Sequence, residues 1–386
     1  FKKVLGWGGL GLAALYSVQE KLKGGIQRKH RFDIVVKFFL PEAVEDFEGE
    51  KKNHVLLARS RHVVQLVPIK KPPKGALEES TATLFLEVMG RGNLHSWICK
   101  MGQADRFSDK ALWLMFDCLF KGVVGMAHPP KLARKEEYEK TGGKWDRTHF
   151  DEQIPFWDVA NKTSNDLVHF DLDPINILVG DFNVGRDKAH TMIPIMKVAD
   201  LGLMNEMKDH REGNAEMMWG VRTCGKAFDG WLAPEQFHEE WDYLRNPLPD
   251  REYDPKTKPK TAGKYSWRTN VYWLGLVMFT LVTRMYAPLE PIPYSLGQVY
   301  VTDERTGRVK RRDPWSYGGY LMHDNFKDKV DRDLLMAVTC CMCDDPEHRP
   351  SLKELSDMIT FKISQKWPSE TDDQTRQWAA GFFSEP

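Results

Sequence analysis

The pattern of apolar and polar positions over residues 1–90 predicts a small antiparallel sheet. Short runs rich in β-branched and aromatic residues alternate with glycines and charged turns, namely KKVLG, LAALYSV, FDIVVKFF, HVVQLV and TLFLEVM. One charged interval, PEAVEDFEGEKKNHVLLARS, lacks this pattern and has the composition of a helix. We therefore expect a first domain over residues 1–90, with five strands and a single helix after the third strand.

After Gly90 the pattern changes to long segments with helical spacing, such as DKALWLMFDCLFKGVVGMAH and RDLLMAVTCCMC. The longest apolar run, at 271–282, is shorter than the roughly 18–20 residues needed to cross a bilayer, so it predicts a buried helix and no membrane span. We expect a mainly helical second domain over residues 91–366 and a C-terminal tail over residues 367–386. Four polar stretches without a clear period are expected to be surface insertions, near residues 129–165, 205–228, 246–266 and 303–318.

Composition narrows the class of protein. In 386 residues the 55 Lys and Arg side chains equal the 55 Asp and Glu side chains, so there is no excess of basic residues that would favour a nucleic acid as a partner. We expect no nucleic-acid partner other than a bound nucleotide. Six scattered cysteines do not suit a disulfide-stabilised secreted scaffold, which favours an intracellular setting, cytoplasmic or nuclear. Cys340 and Cys343 form a CxxC motif without a second ligand pair at zinc spacing, so no structural metal is expected there.

The opening sequence GWGGLG places Gly6, Gly8 and Gly11 in a GxGxxG pattern. Glycines allow backbone N–H groups to approach phosphates closely, although an ordinary hairpin would also accommodate them. Lys37 follows in the apolar strand DIVVKFF, where a buried ammonium would need an anionic partner. ATP phosphates and a helix carboxylate are candidate partners, and the alternative is a lysine whose end reaches water at the strand terminus.

Polar residues cluster again in VHFDLDPINILVG, where His169, Asp171 and Asn176 form an HxDxxxxN motif between apolar runs. Asp200 follows in VADLG, after another apolar strand. Phosphoryl transfer needs a carboxylate that orients the attacking hydroxyl and oxygen ligands for Mg²⁺. Turn-forming Asx residues at strand ends would explain each residue singly, but not the order of glycine loop, lysine, HxDxxxxN and DxG.

This order of motifs resembles the eukaryotic protein kinase family over nearly the whole chain, from VLGWGGLG to DDPEHRPSLKEL. LAPE at 232–235 resembles the APE motif of that family, and Arg349 in EHRPS stands where its arginine pairs with the APE glutamate, here Glu235. TNVYWLGLVMFTLVT resembles its central buried helix, and HFDLDPxN with the long insertions is similar to a divergent branch of fungal kinase-like proteins. The resemblance implies a bilobal α+β fold, with a five-stranded antiparallel N-lobe carrying one helix and a mainly helical C-lobe.

The resemblance also implies roles for individual residues. Lys37 would contact the α- and β-phosphates of ATP, with Glu50 as its helix partner. Asp171 would orient the acceptor hydroxyl, and Asn176 and Asp200 would bind Mg²⁺. The other residues implied to surround the nucleotide are Leu5, Gly6, Gly8, Gly11, Ala13, Val35, Leu86, Glu87, Met89 and Leu178. The implied cofactors are ATP and Mg²⁺, and the implied partner is a protein substrate with a Ser or Thr hydroxyl.

Several positions depart from the pattern of the family. Glu50 lies closer to Lys37 along the chain than is usual, so Glu48 competes for the pairing. Asn270 replaces the aspartate that braces the catalytic loop, and a neutral hydrogen bond is weaker than a charged one. Phe170 replaces the arginine that receives an activating phosphate, so switching by such phosphorylation is not expected.

Asp173 is the most serious departure, because the family has a lysine there that neutralises the transferring phosphoryl group. Losing one preorganised charge contact of this kind costs about 2.7–4 kcal/mol, roughly a hundred- to thousandfold in rate. Arg222 or Lys226 is a candidate to supply the missing charge. Three functions stay open: a Ser/Thr protein kinase slowed by Asp173, a pseudokinase that binds nucleotide and partners, and a small-molecule phosphotransferase.

Overall fold

A computed structural model of the chain describes residues 1–8, 11–21, 27–69, 82–102, 105–130, 152, 154, 167–182, 188–207, 231–241, 259–286, 291–302, 309–367 and 370–384. Within these ranges the protein is mixed α and β, and its largest sheet is antiparallel with four strands. The strands are β1 (Lys3–Gly8), β2 (Gly11–Lys21), β3 (Gln27–Phe39) and β4 (Thr83–Leu86), in that spatial order.

The predicted strand HVVQLV, residues 62–67, is not part of a continuous ladder, which corrects the expectation of five strands. Its backbone is divided between two partners. The Val67 N–H donates to the carbonyl of Phe85 in β4 (2.8 Å), whereas the Val64 N–H donates to the carbonyl of Val198 (2.9 Å). The segment pairs with each of these neighbours over only one or two residues. It therefore forms isolated bridges, and the described sheet has four strands.

The charged interval after β3 forms one helix, α1 (Val44–Leu56), as predicted, entered through a short 3-10 turn at Pro41–Ala43. The residues that this helix buries are polar, namely Glu50, Asn53 and His54. Buried polar groups are stable only when they are hydrogen-bonded. The rotation of α1 is therefore fixed by specific partners and not by an apolar stripe alone.

The helical part of the protein begins after β4. Its described helices are α2 (Leu94–Lys100), α3 (Asp109–Ala127), α4 (Ala189–Met192), α5 (Pro234–Phe237), α6 (Trp267–Thr283), α7 (Asp324–Lys327), α8 (Arg332–Cys341), α9 (Leu352–Ser364) and α10 (Asp372–Phe382). Four short antiparallel pairs accompany them: β5 (Leu167–Val168) with β8 (Asn205–Glu206), β6 (Ile177–Val179) with β7 (Met196–Val198), β9 (Tyr294–Ser295) with β12 (Trp315–Ser316), and β10 (Val299–Thr302) with β11 (Val309–Arg312). Among these helices none combines the length and apolar character required to cross a membrane.

Helix α6 is the predicted buried helix and lies in the core between α3 and α8. Its N-terminus is capped by Ser266, whose hydroxyl accepts from the Arg268 N–H (3.2 Å) while its own N–H donates to the Thr269 hydroxyl (3.1 Å). All residues of the helix from 269 to 281 are buried. Burial on every side explains why the apolar run has no polar stripe.

Parts of two predicted surface insertions are packed into the core. Ala262 and Tyr265 are fully buried, so residues 259–266 do not form a surface loop. Ser316 is also buried, and its hydroxyl donates to the Thr339 carbonyl (2.6 Å). Small and hydroxyl-bearing residues read as a loop in the sequence, but they bury readily once their polar atoms are paired. The other predicted insertions fall largely outside the described residues.

The C-terminal tail packs against the helical part through aromatic residues. Trp378 and Phe382 of α10 contact Phe107, with ring centroids 5.8 and 5.5 Å apart. Phe383 is fully buried and lies 5.0 Å from the Trp97 ring. Aromatic pairs at these separations add to the free energy gained from buried area alone. The structure thus places α10, which lies within the predicted C-terminal tail, on the helical core.

The ion pair predicted between Glu235 and Arg349 is confirmed. The two terminal nitrogens of the guanidinium donate to the two carboxylate oxygens at 2.7 and 2.8 Å, and both side chains are fully buried. The Thr269 hydroxyl donates to Glu235 (2.7 Å), and Arg349 Nε donates to the Cys343 carbonyl (2.9 Å). Every charge of the pair is thus satisfied, which a buried ion pair requires.

Replacing Arg349 by alanine is expected to lower the free energy of unfolding by about 3–5 kcal/mol, because the Glu235 carboxylate would remain buried without its partner. Urea denaturation followed by tryptophan fluorescence measures the change. The matched control is Lys353→Ala, which removes one partner of the exposed pair with Asp357 and should cost less than about 1 kcal/mol. Equal losses in the two variants would contradict the assignment of Glu235–Arg349 as a structural pair.

Candidate functional site

The candidate site is centred on Lys37 of β3, between the sheet and the helical part. Its ammonium donates to both carboxylate oxygens of Glu50 at 2.8 and 2.7 Å and to Oδ1 of Asp200 at 2.9 Å. Burial alone would lower the pKa of Lys37, but the Asp200 and Glu50 carboxylates outweigh it and hold that pKa above its ordinary value. The lysine is therefore charged and paired, which excludes the alternative of an amine that merely reaches water.

The alternation of β3 explains why Lys37 faces the site. Ile34 and Val36 are fully buried on one face of the strand, whereas Val35 and Lys37 lie on the other face and are partly exposed. In the register of the sheet Ala13 is opposite Lys37. The alternation of side chains along β3 thus places Lys37 on the face opposite to the buried Ile34 and Val36.

Glu50 of α1, rather than Glu48, is the helix partner of Lys37. Glu50 is almost fully buried, while Glu48 is exposed and lies 3.5 Å from Lys51. Asn53, one turn further along α1, donates through its side-chain amide to the carbonyls of Leu201 (2.9 Å) and Met204 (2.8 Å). These two bonds attach the helix to the segment that carries Asp200. The prediction that Glu50 pairs with Lys37 is confirmed.

His169 organises the HxDxxxxN loop through its two ring nitrogens. Its Nδ1 accepts from the Asp171 N–H (3.2 Å), so the proton lies on Nε2, which donates to the Ala199 carbonyl (3.1 Å). Burial lowers the pKa of His169 and outweighs the nearby carboxylates that would raise it. The histidine is thus a neutral, fully buried link between the loop and the strand that leads to Asp200.

Asn270 of α6 hydrogen-bonds to the backbone at the start of the same loop. Its Oδ1 accepts from the His169 N–H (3.0 Å), and its amide nitrogen donates to the Leu167 carbonyl (2.6 Å). Asparagine can donate and accept at once, whereas an ionised aspartate only accepts. The neutral residue therefore makes a contact to Leu167 that a carboxylate could not make.

Asp171 and Asn176 are held together at the mouth of the loop. The Asn176 amide donates to Oδ2 of Asp171 (2.8 Å) and to the Asp171 carbonyl (2.8 Å). Both side chains keep partial solvent exposure. The carbonyl of Asn176 accepts from the Ala199 N–H (2.8 Å), which places the loop directly beside the residue that precedes Asp200.

Asp173 turns into the loop and caps it. One of its carboxylate oxygens accepts from the N–H groups of Ile175 (2.8 Å) and Asn176 (3.0 Å), and the side chain is nearly fully buried. This is an Asx-type turn, in which a short acidic side chain satisfies the backbone two and three residues ahead. The Asp173 carboxylate, which stands where the kinase family has a lysine, therefore has a structural role in the loop.

Two residues of the site have left-handed backbone conformations without being glycine. Phe170 has φ 60° and Asp200 has φ 55°. Such conformations are uncommon, cost free energy and concentrate at functional sites. Phe170 is held there by edge-to-face contacts with Tyr265 (5.2 Å) and Trp273 (5.9 Å). Asp200 is held by Lys37, whose charge lowers the pKa of the carboxyl group below its ordinary value although partial burial would raise it.

The predicted glycine loop is a hairpin between β1 and β2, with Gly8 opposite Gly11. A Cβ atom on Gly6 or Gly8 would meet no neighbouring atom, so both positions leave space beside the site. Gly11 has a different reason to be glycine, because a Cβ there would lie 1.8 Å from the Phe38 carbonyl oxygen. Its role in the structure is close packing of β2 on β3.

The residues predicted to surround a nucleotide lie on β1, β2, β3, β4 and β6 and on the segment after β4. Val35 is paired with Leu86 across β3 and β4, and Leu178 of β6 forms a bridge with Asn93. Leu5 of β1 is about half exposed. Beyond β4, the side chain of Met89 lies against Gly180, at 2.8 Å from where a Cβ atom would be.

Glu87 is hydrogen-bonded to the segment after α1 and to β7. Its carboxylate accepts from the Lys197 ammonium (2.6 Å) and from the Gln65 N–H (2.8 Å), and its own N–H donates to the Gln65 carbonyl (3.0 Å). Within the described ranges, the Glu87 carbonyl and the Met89 N–H make no backbone hydrogen bond. Lys197, Gln65 and Asn53 are residues of the site that were not predicted. Nothing local in the sequence distinguishes Lys197 and Gln65 from surface residues, whereas the i, i+3 spacing of Asn53 from Glu50 could have indicated that both lie on one face of α1.

The structure thus brings Lys37, Glu50, Asp171, Asn176 and Asp200 into one region from four separate parts of the chain. Comparison with known proteins assigns no family, since no protein-family model and no curated protein matches the sequence. A function must therefore be inferred from the geometry and chemistry of the site.

Asp173→Ala is expected to lower the free energy of unfolding by about 1–3 kcal/mol, because the Ile175 N–H loses its charged acceptor and the Asn176 N–H keeps only the Asp173 carbonyl. Asp173→Asn retains an acceptor oxygen and should stay within about 1 kcal/mol of the wild type. Thermal and urea unfolding of both variants measure the difference. If asparagine were as damaging as alanine, the capping role of Asp173 would be wrong.

The neutral His169 makes stability depend on pH. An unfolded chain takes up a proton at this histidine near pH 6.5, whereas the buried ring resists protonation until a lower pH. Protonation therefore favours the unfolded state, and the free energy of unfolding falls as the pH drops below about 6.5. We expect this dependence to be shallower in His169→Gln, measured by urea unfolding at several pH values. Identical slopes in variant and wild type would show that His169 is not the responsible group.

Proposed function

We propose that the protein is an ATP- and Mg²⁺-dependent kinase of the protein kinase type, with the sheet and the helical part as its two lobes. The observation that carries the proposal is the single ammonium of Lys37 bonded to both Glu50 and Asp200. A lysine of the third strand paired with a helix carboxylate, beside an acidic residue that can bind Mg²⁺, is the arrangement that protein kinases use for phosphoryl transfer from ATP. Asp171 and Asn176, held side by side, complete it.

The donor set fits a hard divalent cation. Asn176 and Asp200 would hold Mg²⁺ through side-chain oxygens, the ligand type that this ion prefers. The ion would supply positive charge that offsets the negative charge of the phosphates. Lys37 would orient the phosphates, because its ammonium is fixed by Glu50 from behind. Asp171 would accept a hydrogen bond from the hydroxyl of the acceptor and orient it for attack.

The segment after β4 supports a nucleotide rather than another anion. The Glu87 carbonyl and the Met89 N–H are the acceptor and donor that an adenine edge would need, and neither makes a backbone hydrogen bond within the described residues. Glu87 is itself immobilised by Lys197 and Gln65. The apolar pair Val35 and Leu86 would cover the base. A prearranged backbone edge lowers the entropic cost of binding.

A protein hydroxyl is favoured over a small-molecule acceptor. The buried Glu235–Arg349 pair supports this, because it joins the LAPE and EHRPS motifs through which the sequence resembles protein kinases. The choice of Ser or Thr as the acceptor rests on that resemblance.

A pseudokinase is the second candidate, favoured by one observation. The Asp173 carboxylate accepts hydrogen bonds from the loop backbone, and it supplies no positive charge where a transferring phosphoryl group would need one. Arg222 and Lys226, the candidates for a substitute charge, lie outside the described residues. The same site would then bind nucleotide without efficient transfer.

Transfer of labelled γ-phosphate from Mg-ATP to the protein itself and to Ser/Thr-rich substrates separates the two functions. We expect transfer to fall by about a hundred- to ten-thousandfold in Asp171→Ala, while nucleotide-induced stabilisation is retained. Lys37→Met should reduce the rise in melting temperature caused by Mg-ATP, and Asp200→Ala should remove its dependence on Mg²⁺. Asp357→Ala and Lys353→Met, an exposed acid and an exposed lysine on α9, are the matched controls.

The outcomes are distinct. Transfer that is lost in Asp171→Ala and kept in the α9 controls supports a working kinase. No transfer, combined with a nucleotide-induced shift that Lys37→Met abolishes, supports the pseudokinase. Absence of both transfer and nucleotide-induced stabilisation would refute the proposal that the site binds ATP.

A further inference from the structure

A second polar cluster lies away from the Lys37 site, in the interior of the protein. His62, from the segment after α1, Cys118 of α3 and His190 of α4 are each almost fully buried. One potential ligand atom from each side chain lies within 4.8 Å of those of the other two. Three metal-binding groups from three separate parts of the chain thus converge on one point.

The spacing suits a tetrahedral metal ion. The Nε2 atoms of His62 and His190 are 3.2 Å apart. Two nitrogens at about 2.0–2.1 Å from a zinc ion, separated by a tetrahedral angle, would be about 3.3 Å apart. Two imidazoles and one thiolate are also a ligand set that zinc accepts, and they leave a fourth position for a further donor.

Hydrogen bonds from neighbouring groups orient the side chains of the cluster, as they do for ligands in metal sites. The Glu152 carboxylate accepts from His62 Nδ1 (3.1 Å) and from the His62 backbone N–H (2.7 Å), and its side chain is almost fully buried. A proton fixed on Nδ1 leaves the Nε2 lone pair of a neutral ring directed at the cluster. Cys118 Sγ accepts from the Met196 N–H (3.1 Å) and lies 3.3 Å from the Met196 carbonyl, to which a thiol donates, so metal binding would release this proton as well.

Two glycines of α3 permit this convergence. A Cβ on Gly122 would lie 3.3 Å from the His62 carbonyl and 2.9 Å from the Val198 side chain. A Cβ on Gly125 would lie 3.2 Å from the Glu152 side chain. Glycine inside a helix is destabilising relative to alanine. The close approach of His62 and Glu152 to α3 gives a reason for that cost.

We propose that His62, Cys118 and His190 bind Zn²⁺ as three protein ligands, with Glu152 orienting His62. Nothing in this proposal depends on the kinase activity. The site would tie the segment after α1 to α3, and that segment also binds the strand leading to Asp200, since the Val198 N–H donates to the His62 carbonyl (2.8 Å).

The competing arrangement is a metal-free chain of hydrogen bonds from Glu152 through His62 to His190. Burial would lower the pKa of His62, but Cys118 and Glu152 outweigh it and raise that pKa to about 9 in the absence of a metal. Zinc would have to displace this proton. The two arrangements therefore differ in metal content, which is measurable directly.

The test uses the full chain without an affinity tag that binds metals. Elemental analysis of the purified protein is expected to give about one zinc ion per chain, because three preformed ligands bind zinc tightly. Cobalt added to chelator-treated protein should produce absorption bands that indicate a thiolate ligand. In Cys118→Ser and His190→Gln we expect zinc affinity to fall at least about tenfold. Cys343→Ser, which changes a buried thiol outside the cluster, is the matched control and should keep the metal.

Three results would overturn the proposal. One is wild-type protein that neither contains zinc nor takes it up at stoichiometric concentration while remaining folded. Another is zinc binding that persists unchanged in both ligand variants. Copper in place of zinc in freshly purified protein would also contradict the metal assigned. Because the wild-type measurements suffice, a variant that fails to fold does not remove the test.

Discussion

The Lys37 ammonium is the charge on which the arrangement of the site depends. It lies largely out of water, and a buried cation without anionic partners would be too costly to retain. Glu50 and Asp200 provide those partners from positions 13 and 163 residues away along the chain. Satisfying one ammonium therefore requires α1, β3 and the segment after β7 to meet at a single point. Asn53 adds a neutral connection between the same elements.

Much of this framework could be predicted from the sequence because the underlying rules are local. The alternating pattern of β3 places Lys37 on one face, and the unbroken apolar run of α6 implies burial on all sides. The rule that buried charges are paired anticipates partners for Lys37 and for Arg349. The glutamate of α1 was the harder choice, since Glu48 and Glu50 differ only in which side of the helix they occupy.

The parts that could not be predicted depend on tertiary partners. Residues 62–67 look like a strand, yet their hydrogen bonds are shared between β4 and β7. The sequence does not show whether Asp173 faces a phosphate or caps its own loop. Its role depends on where the fold places the Ile175 and Asn176 N–H groups, which donate to its carboxylate. The His62, Cys118 and His190 cluster has no sequence spacing to reveal it, because three separate elements supply it.

The residues in and directly after α10 bind to the helical part of the same molecule. The Phe383 carbonyl accepts a hydrogen bond from Arg91, two residues beyond Met89, and the Phe383 ring covers Trp97. Without this helix the faces of Trp97 and Phe107 would become a contiguous aromatic surface open to water. Surfaces of that kind recruit other chains. Shortened versions that lack α10 would thus exchange an intramolecular contact for self-association.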